Sequence, residues 1–164
     1  MTTALPLRLS LLDRLIDEAP DLPFDPPRSR PDELRSIRES FRRDVEVILN
    51  TRRLCRSPPA ALRAVKRALP YCGVADLVGV SLATQQERLE LLRSLEQTIR
   101  LFEPRFRSVE LSLIAGHDQL DRVLRIRIEA VTELEPSAAP IVFETALDPA
   151  TRTFSVTERD HGRV

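Results

Sequence analysis

Glu103-Pro104-Arg105 sets two opposite charges on either side of a proline. Proline has no N–H to give a helix and biases the residue before it away from helical angles. Glu103 and Arg105 are therefore expected at a fixed corner, where a helix hands over to extended chain. Two readings of the corner stay open: a helix stop with a local ion pair, worth ~0–1 kcal/mol if exposed, or a charged surface offered to a partner. Other reactive types are sparse. His117 and His161 lack ligand-type spacing to Cys, Asp or Glu, so no metal site is expected. Cys55 and Cys72 form no CxxC, four glycines make no phosphate-cradling loop, and no GxSxG elbow is present. Glycoside hydrolysis needs two carboxylates at a set separation. Glu103 is the most rigidly placed acid, but no second one is marked out by the sequence. No catalytic residue and no cofactor is expected.

The 164 residues suggest one domain with an appendage, and 42% hydrophobic content is enough for a core. Charged residues make up 30% at zero net charge, which argues against a chain built around nucleic acid or an anionic membrane. Aromatics at 4% with no tryptophan give little to stack bases on. No apolar run reaches the length of a membrane span and no signal peptide is recognisable. Two cysteines without a scaffold pattern fit a reducing cytoplasm.

The corner must be positioned by the elements around it. Thr84 and Glu87 make a capping-box pattern, and Leu89, Leu92, Leu95, Ile99 and Phe102 draw one apolar stripe down a helix that Pro104 stops. Upstream, residues 10–19 read as a short amphipathic helix and residues 20–31, with five prolines, as an extended linker. That helix either docks on a partner or folds back on its own domain. A helix is predicted over 31–49, with Leu34, Ile37, Phe41, Val45 and Ile48 facing in and Asn50 as a left-handed cap. Another is predicted over 59–69, with Leu62, Val65 and Leu69 facing in, followed by a turn-rich connection and a short strand over 78–82.

After Pro104 the period changes to 2. Strands are predicted around Val109–Leu113, Leu124–Ala130, Ile141–Leu147 and Arg152–Thr157, joined by turns at 115–118 and 148–151 and a loop at 133–140. The expected class is α+β, with N-terminal helices packed on one face of a small, mainly antiparallel C-terminal sheet. Residues 1–30 would be the helix and linker, and residues 31–160 a single domain. At least one sheet edge is left over.

Charge is segregated. Between Val47 and Ala75 no acid occurs, yet Arg52, Arg53, Arg56, Arg63, Lys66 and Arg67 do; Lys66 is the only lysine in the chain. Between Ile128 and Thr151 there is no base, yet Glu129, Glu133, Glu135, Glu144 and Asp148 occur. Either run can be a solvated face or a docking surface for a charged partner.

Four stretches resemble one family. Residues 42–53, RRDVEVILNTRR, are similar to its "RDLExLLNTRR" helix end; 71–77, YCGVADL, to its "YGLPDL" turn; 99–105, IRLFEPR, carry its Glu-Pro-Arg signature; and 142–157, VFETALDPATRTFSVT, resemble its final hairpin. The family is TssE, the type VI secretion baseplate subunits related to the phage-tail wedge proteins of the "lysozyme-like" group. The turn departs from the pattern at Cys72-Gly73-Val74-Ala75. The resemblance implies a non-enzymatic assembly protein at the cytoplasmic face of the inner membrane. Its implied partners are TssF, TssG and TssK in the wedge and the sheath subunits TssB and TssC. It implies that Glu103, Pro104 and Arg105 dock on the TssF–TssG core, and Arg52 and Arg53 of the basic run are taken as partner-binding too. Sheath initiation would use an open sheet edge. Alanine at Glu103 or Arg105 is expected to spare the fold and weaken that docking. The alternatives are a muralytic glycosidase and, weakest, a nucleic-acid binder using the basic run.

Overall fold

The computed structural model describes residues 11–16, 20–22, 29–56, 58–77, 82–114, 123–132, 140–148 and 150–159. Its main elements are α1 (Leu11–Leu15), α2 (Arg30–Asn50), α3 (Gln85–Phe102), β1 (Phe106–Leu113), β2 (Leu124–Thr132), β3 (Ile141–Leu147) and β4 (Phe154–Arg159). The strands form one antiparallel meander in the order β1-β2-β3-β4. This is the expected α+β layout. α2 packs against β4 and α3 against β1, so the two helices cover one face of the sheet from opposite sides.

Local chemistry starts and stops these helices. The Ser29 side chain accepts the Asp32 N–H at the head of α2, where Pro31, Asp32 and Glu33 fill the first turn. Thr84 and Glu87 make the reciprocal capping box of α3. The core joins Ile37, Phe41, Val45 and Leu49 of α2 with Leu91, Leu92, Leu95 and Ile99 of α3. Val109, Ile126, Ile128, Phe143, Phe154 and Val156 meet them from the sheet. In β2 the alternation is as read: Ile126, Ile128 and Ala130 are buried, while Arg125, Arg127 and Glu129 lie on the other face. There Glu144 receives Arg127 and Arg159.

Several expectations are corrected. Residues 60–67 form a 3-10 helix with a break at Leu62 (φ −107°, ψ 47°), and residues 69–71 a second 3-10 turn. Leu62 and Leu69 do not face in; they are 52% and 86% exposed. The break at Leu62 and the extended Ala68, which separates Leu69 into the second turn, keep Leu62, Val65 and Leu69 from forming one continuous face. Leu89 is 40% exposed and Leu91 takes its place in the core. Asn50 is the last residue of α2 and not a left-handed cap, because Thr51 leaves the helix in extended geometry. β4 begins at Phe154 and not Arg152, which takes φ 58° in the turn. The strand predicted over 78–82 falls largely outside the described residues, as do the turn at 115–118 and most of the loop at 133–140. α1 folds back on its own domain: the Asp13 carboxylate accepts from the Ser40 hydroxyl and the Arg43 guanidinium.

The two sheet edges differ. At β4 the outward backbone groups are taken by α2 side chains. Asn50 exchanges two 2.8 Å bonds with Phe154, its amide donating to the carbonyl and its oxygen accepting the N–H. Glu46 accepts the Val156 N–H at 3.2 Å, and Arg42 donates to the Val156 carbonyl at 3.1 Å. Glu39 and Glu46 raise the pKa of that guanidinium above its usual value. Asn50→Ala is expected to cost about 1 kcal/mol, read as a lower urea midpoint; an unchanged midpoint would mean water replaces the amide at no cost. At β1 the Arg100 guanidinium donates to the outward Val109 carbonyl at 2.7 Å. Ile114 N–H bonds to Arg125 O on β2. Backbone groups alternate along an antiparallel strand, so Leu111 and Leu113 turn theirs outward, without partners among the described residues.

Candidate functional site

The corner is built by the end of α3. Glu103 donates its N–H to Ile99 O at 2.8 Å, and Pro104 forbids a further turn. Phe106 then begins β1, so the chain reverses within three residues. The reversal turns the Glu103 side chain inward: the residue is 3% exposed. Its Oε1 accepts the Arg105 backbone N–H at 3.2 Å and Nε at 2.7 Å, and its Oε2 accepts Nη2 at 2.5 Å. The same Nη2 donates to the Asp44 carboxylate on α2. The Arg105 guanidinium carbon sits 4.5 Å above the Phe41 ring, a cation–π contact. Phe41 in turn tilts against Phe106 with centroids 5.0 Å apart.

One arginine therefore ties α2, the end of α3 and the start of β1 together. Burial opposes the Arg105 charge, but hydrogen bonds and charge from Glu103 and then Asp44 outweigh it and hold its pKa above the usual arginine value. The Arg105 side chain remains 24% exposed, so it still presents an edge to solvent. Glu103 is the positioning group and Arg105 the presented one. Sequence reasoning paired these two but missed Asp44 and Phe41. The signal available was Asp44 inside the RRDVEVILNTRR stretch, sixty-one residues away along the chain.

Arg52 and Arg53 end up in different places. Arg52 donates to Leu49 O at 3.2 Å and to Arg152 O at 2.5 Å, tying the end of α2 to the β3–β4 turn. Its backbone pairs with Val74 as a short parallel bridge: Val74 N–H donates to Thr51 O at 2.8 Å and Arg53 N–H to Val74 O at 3.0 Å. Gly73 makes this approach possible. Its φ is +100°, and a Cβ there would stand 2.1 Å from Thr51 O. Arg53 points to a cleft between this segment and α3. No group of His, Cys, Asp or Glu suited to a metal ion occurs among the described residues, and no helix there is long and apolar enough to cross a membrane.

In comparison with known proteins, the family model described as baseplate wedge protein gp25 matches residues 35–137, more than half of the chain. The matched span runs from α2 through β2 and includes the corner, Asp44 and the Thr51–Val74 bridge; β3 and β4 lie beyond it. No curated protein and no solved structure matches.

Proposed function

The chain belongs to the baseplate wedge protein gp25 family, which includes TssE, and from that premise we propose that it serves as the TssE-type subunit of a type VI secretion baseplate. Membership makes its role structural, as part of a baseplate. The finer reading is that it works at the cytoplasmic face of the membrane. There it docks on a TssF–TssG core beside TssK and starts the TssB–TssC sheath. The observation that carries this reading is the locked corner. Arg105 is held by Glu103, Asp44 and Phe41, so a hydrogen-bonding partner meets a charged corner already ordered. Pre-ordering a long side chain removes much of the entropy cost of binding it. For sheath initiation the favoured edge is β1, where Leu111 and Leu113 turn backbone groups outward, and not β4, whose outward groups at Phe154 and Val156 are already bonded.

Two variants test the two halves. Co-expressed with TssF and TssG, the wild-type chain is expected to co-elute with them. Arg105→Gln is expected to lose co-elution while keeping its helical and strand circular dichroism. Retained co-elution would move the docking site elsewhere. Leu113→Pro removes an outward N–H that β1 does not use for pairing with β2. It should keep co-elution with TssF and TssG yet stop TssB–TssC polymerisation, read by sedimentation. Normal polymerisation with this variant would take strand addition away from β1.

A further inference from the structure

Between the chain that leaves α2 and the C-terminal half of α3 lies an open cleft of about 360 Å³. Three cations line it: Arg53, Arg56 and Lys66. None of the three makes an ion pair among the described residues, and no acid is among the lining residues. The α3 wall contributes Ser94, Gln97 and Thr98, then the apolar Leu101 and Phe102. Leu54 adds apolar surface from the other side and is exposed, as is Leu101. Some exposed arginines elsewhere are matched by acids, Arg35 with Asp32, Arg38 with Glu158 and Arg100 with Glu96, while Arg93 and Arg107 stand singly on the surface among the described residues. Here cations converge unmatched on a concave surface with an apolar floor.

We propose that this cleft is a docking site for an acidic segment of a partner protein, one that alternates carboxylates with an apolar anchor. The carboxylates meet Arg53, Arg56 and Lys66, and the anchor lies on Leu101 and Phe102. Charge complementarity selects the partner. Unpaired like charges gathered in a cleft focus potential on it and speed the encounter with an acidic chain. Tyr71 lines the cleft as well as Phe102, and it is the exposed aliphatic surface of Leu54 and Leu101, in a chain of zero net charge, that favours a protein segment over a nucleic acid. The lining residues include none of Glu103, Pro104 and Arg105, although Phe102 adjoins Glu103 in the chain, and binding in the cleft is read apart from docking at the corner.

The test uses a fluorescein-labelled ten-residue peptide of alternating glutamate and leucine, with the full-length chain. Anisotropy should report saturable binding that weakens as salt rises. Arg53→Gln/Lys66→Gln should weaken it about tenfold, which is about 1.4 kcal/mol. Arg35→Gln/Arg38→Gln removes the same charge at the other end of α2 and should leave affinity unchanged. Equal losses in both double variants would reduce the effect to net charge and overturn the site. So would tighter binding of a labelled oligonucleotide than of the peptide.

A second readout keeps all three cations of the cleft in place. Cys55 lines the cleft and is exposed, and Cys72→Ser leaves it as the single thiol. Saturating peptide should slow alkylation of Cys55 by iodoacetamide severalfold. Unchanged alkylation at saturation would place the peptide elsewhere and refute the proposal. Arg105→Gln should retain peptide binding, so failure at the corner and failure at the cleft are read separately.

Discussion

Gly73→Ala is expected to destabilise the protein by about 3–4 kcal/mol. Two costs add. An L-residue at φ +100° is strained in its own backbone, and the new Cβ meets Thr51 O at 2.1 Å, far inside contact distance. Thr51 cannot retreat easily, since its carbonyl accepts from Val74 and its hydroxyl donates to Val47 O at 2.6 Å. The bridge between the end of α2 and Val74 should open, and Val74, 1% exposed, should leave the core. A domain of this size has roughly 5–15 kcal/mol in total, so the variant should still fold at low temperature. Urea unfolding should show a midpoint well below wild type. A midpoint within experimental error of wild type would mean that the loop can be rebuilt without the left-handed residue.

Glu103→Ala should lower stability by about 2–3 kcal/mol. Removing one partner of a buried ion pair leaves the other charge short of compensation, an effect of about 3–5 kcal/mol when both are fully buried. Here Arg105 and Asp44 are each about a quarter exposed and Asp44 remains as a partner, so water and the second carboxylate reduce the loss. The sequence-based expectation that alanine at Glu103 spares the fold treated the residue as surface; its burial is the reason for the change. A cycle of Glu103→Ala, Arg105→Met and the double variant isolates the coupling. The double variant should be less destabilised than the two single losses added together. Strict additivity would mean that Glu103 and Arg105 are near each other without stabilising each other. Arg105→Gln leaves the Glu103 carboxylate buried without its guanidinium and should lower stability by a similar amount, so its docking is read on protein shown by circular dichroism to be folded.

What could be read from residues alone was whatever depends on short sequence separation. The capping box at Thr84 and Glu87 spans three residues, the apolar stripe of α3 repeats every three to four, and the β2 alternation repeats every two. Pro104 ends its helix by local sterics. The errors were local too. The 59–69 stretch was read at an α-helical period, but its chain takes the tighter 3-10 winding and leaves Leu62 and Leu69 in solvent.

Residue order and spacing were enough for the α+β order, the start of α2, both ends of α3, the buried face of β2 and the existence of a charged, proline-locked corner. Periodicity and capping are properties of neighbouring residues. Only the tertiary structure decided that Glu103 turns inward, that Arg105 bridges to Asp44 sixty-one residues back, and that Arg52 is used within the chain while Arg53 lines a cleft. It also decided that Asn50 closes the β4 edge from 104 residues away, leaving β1 as the edge with outward backbone groups. Those facts depend on which surfaces meet when the core closes. No window of the sequence contains both partners.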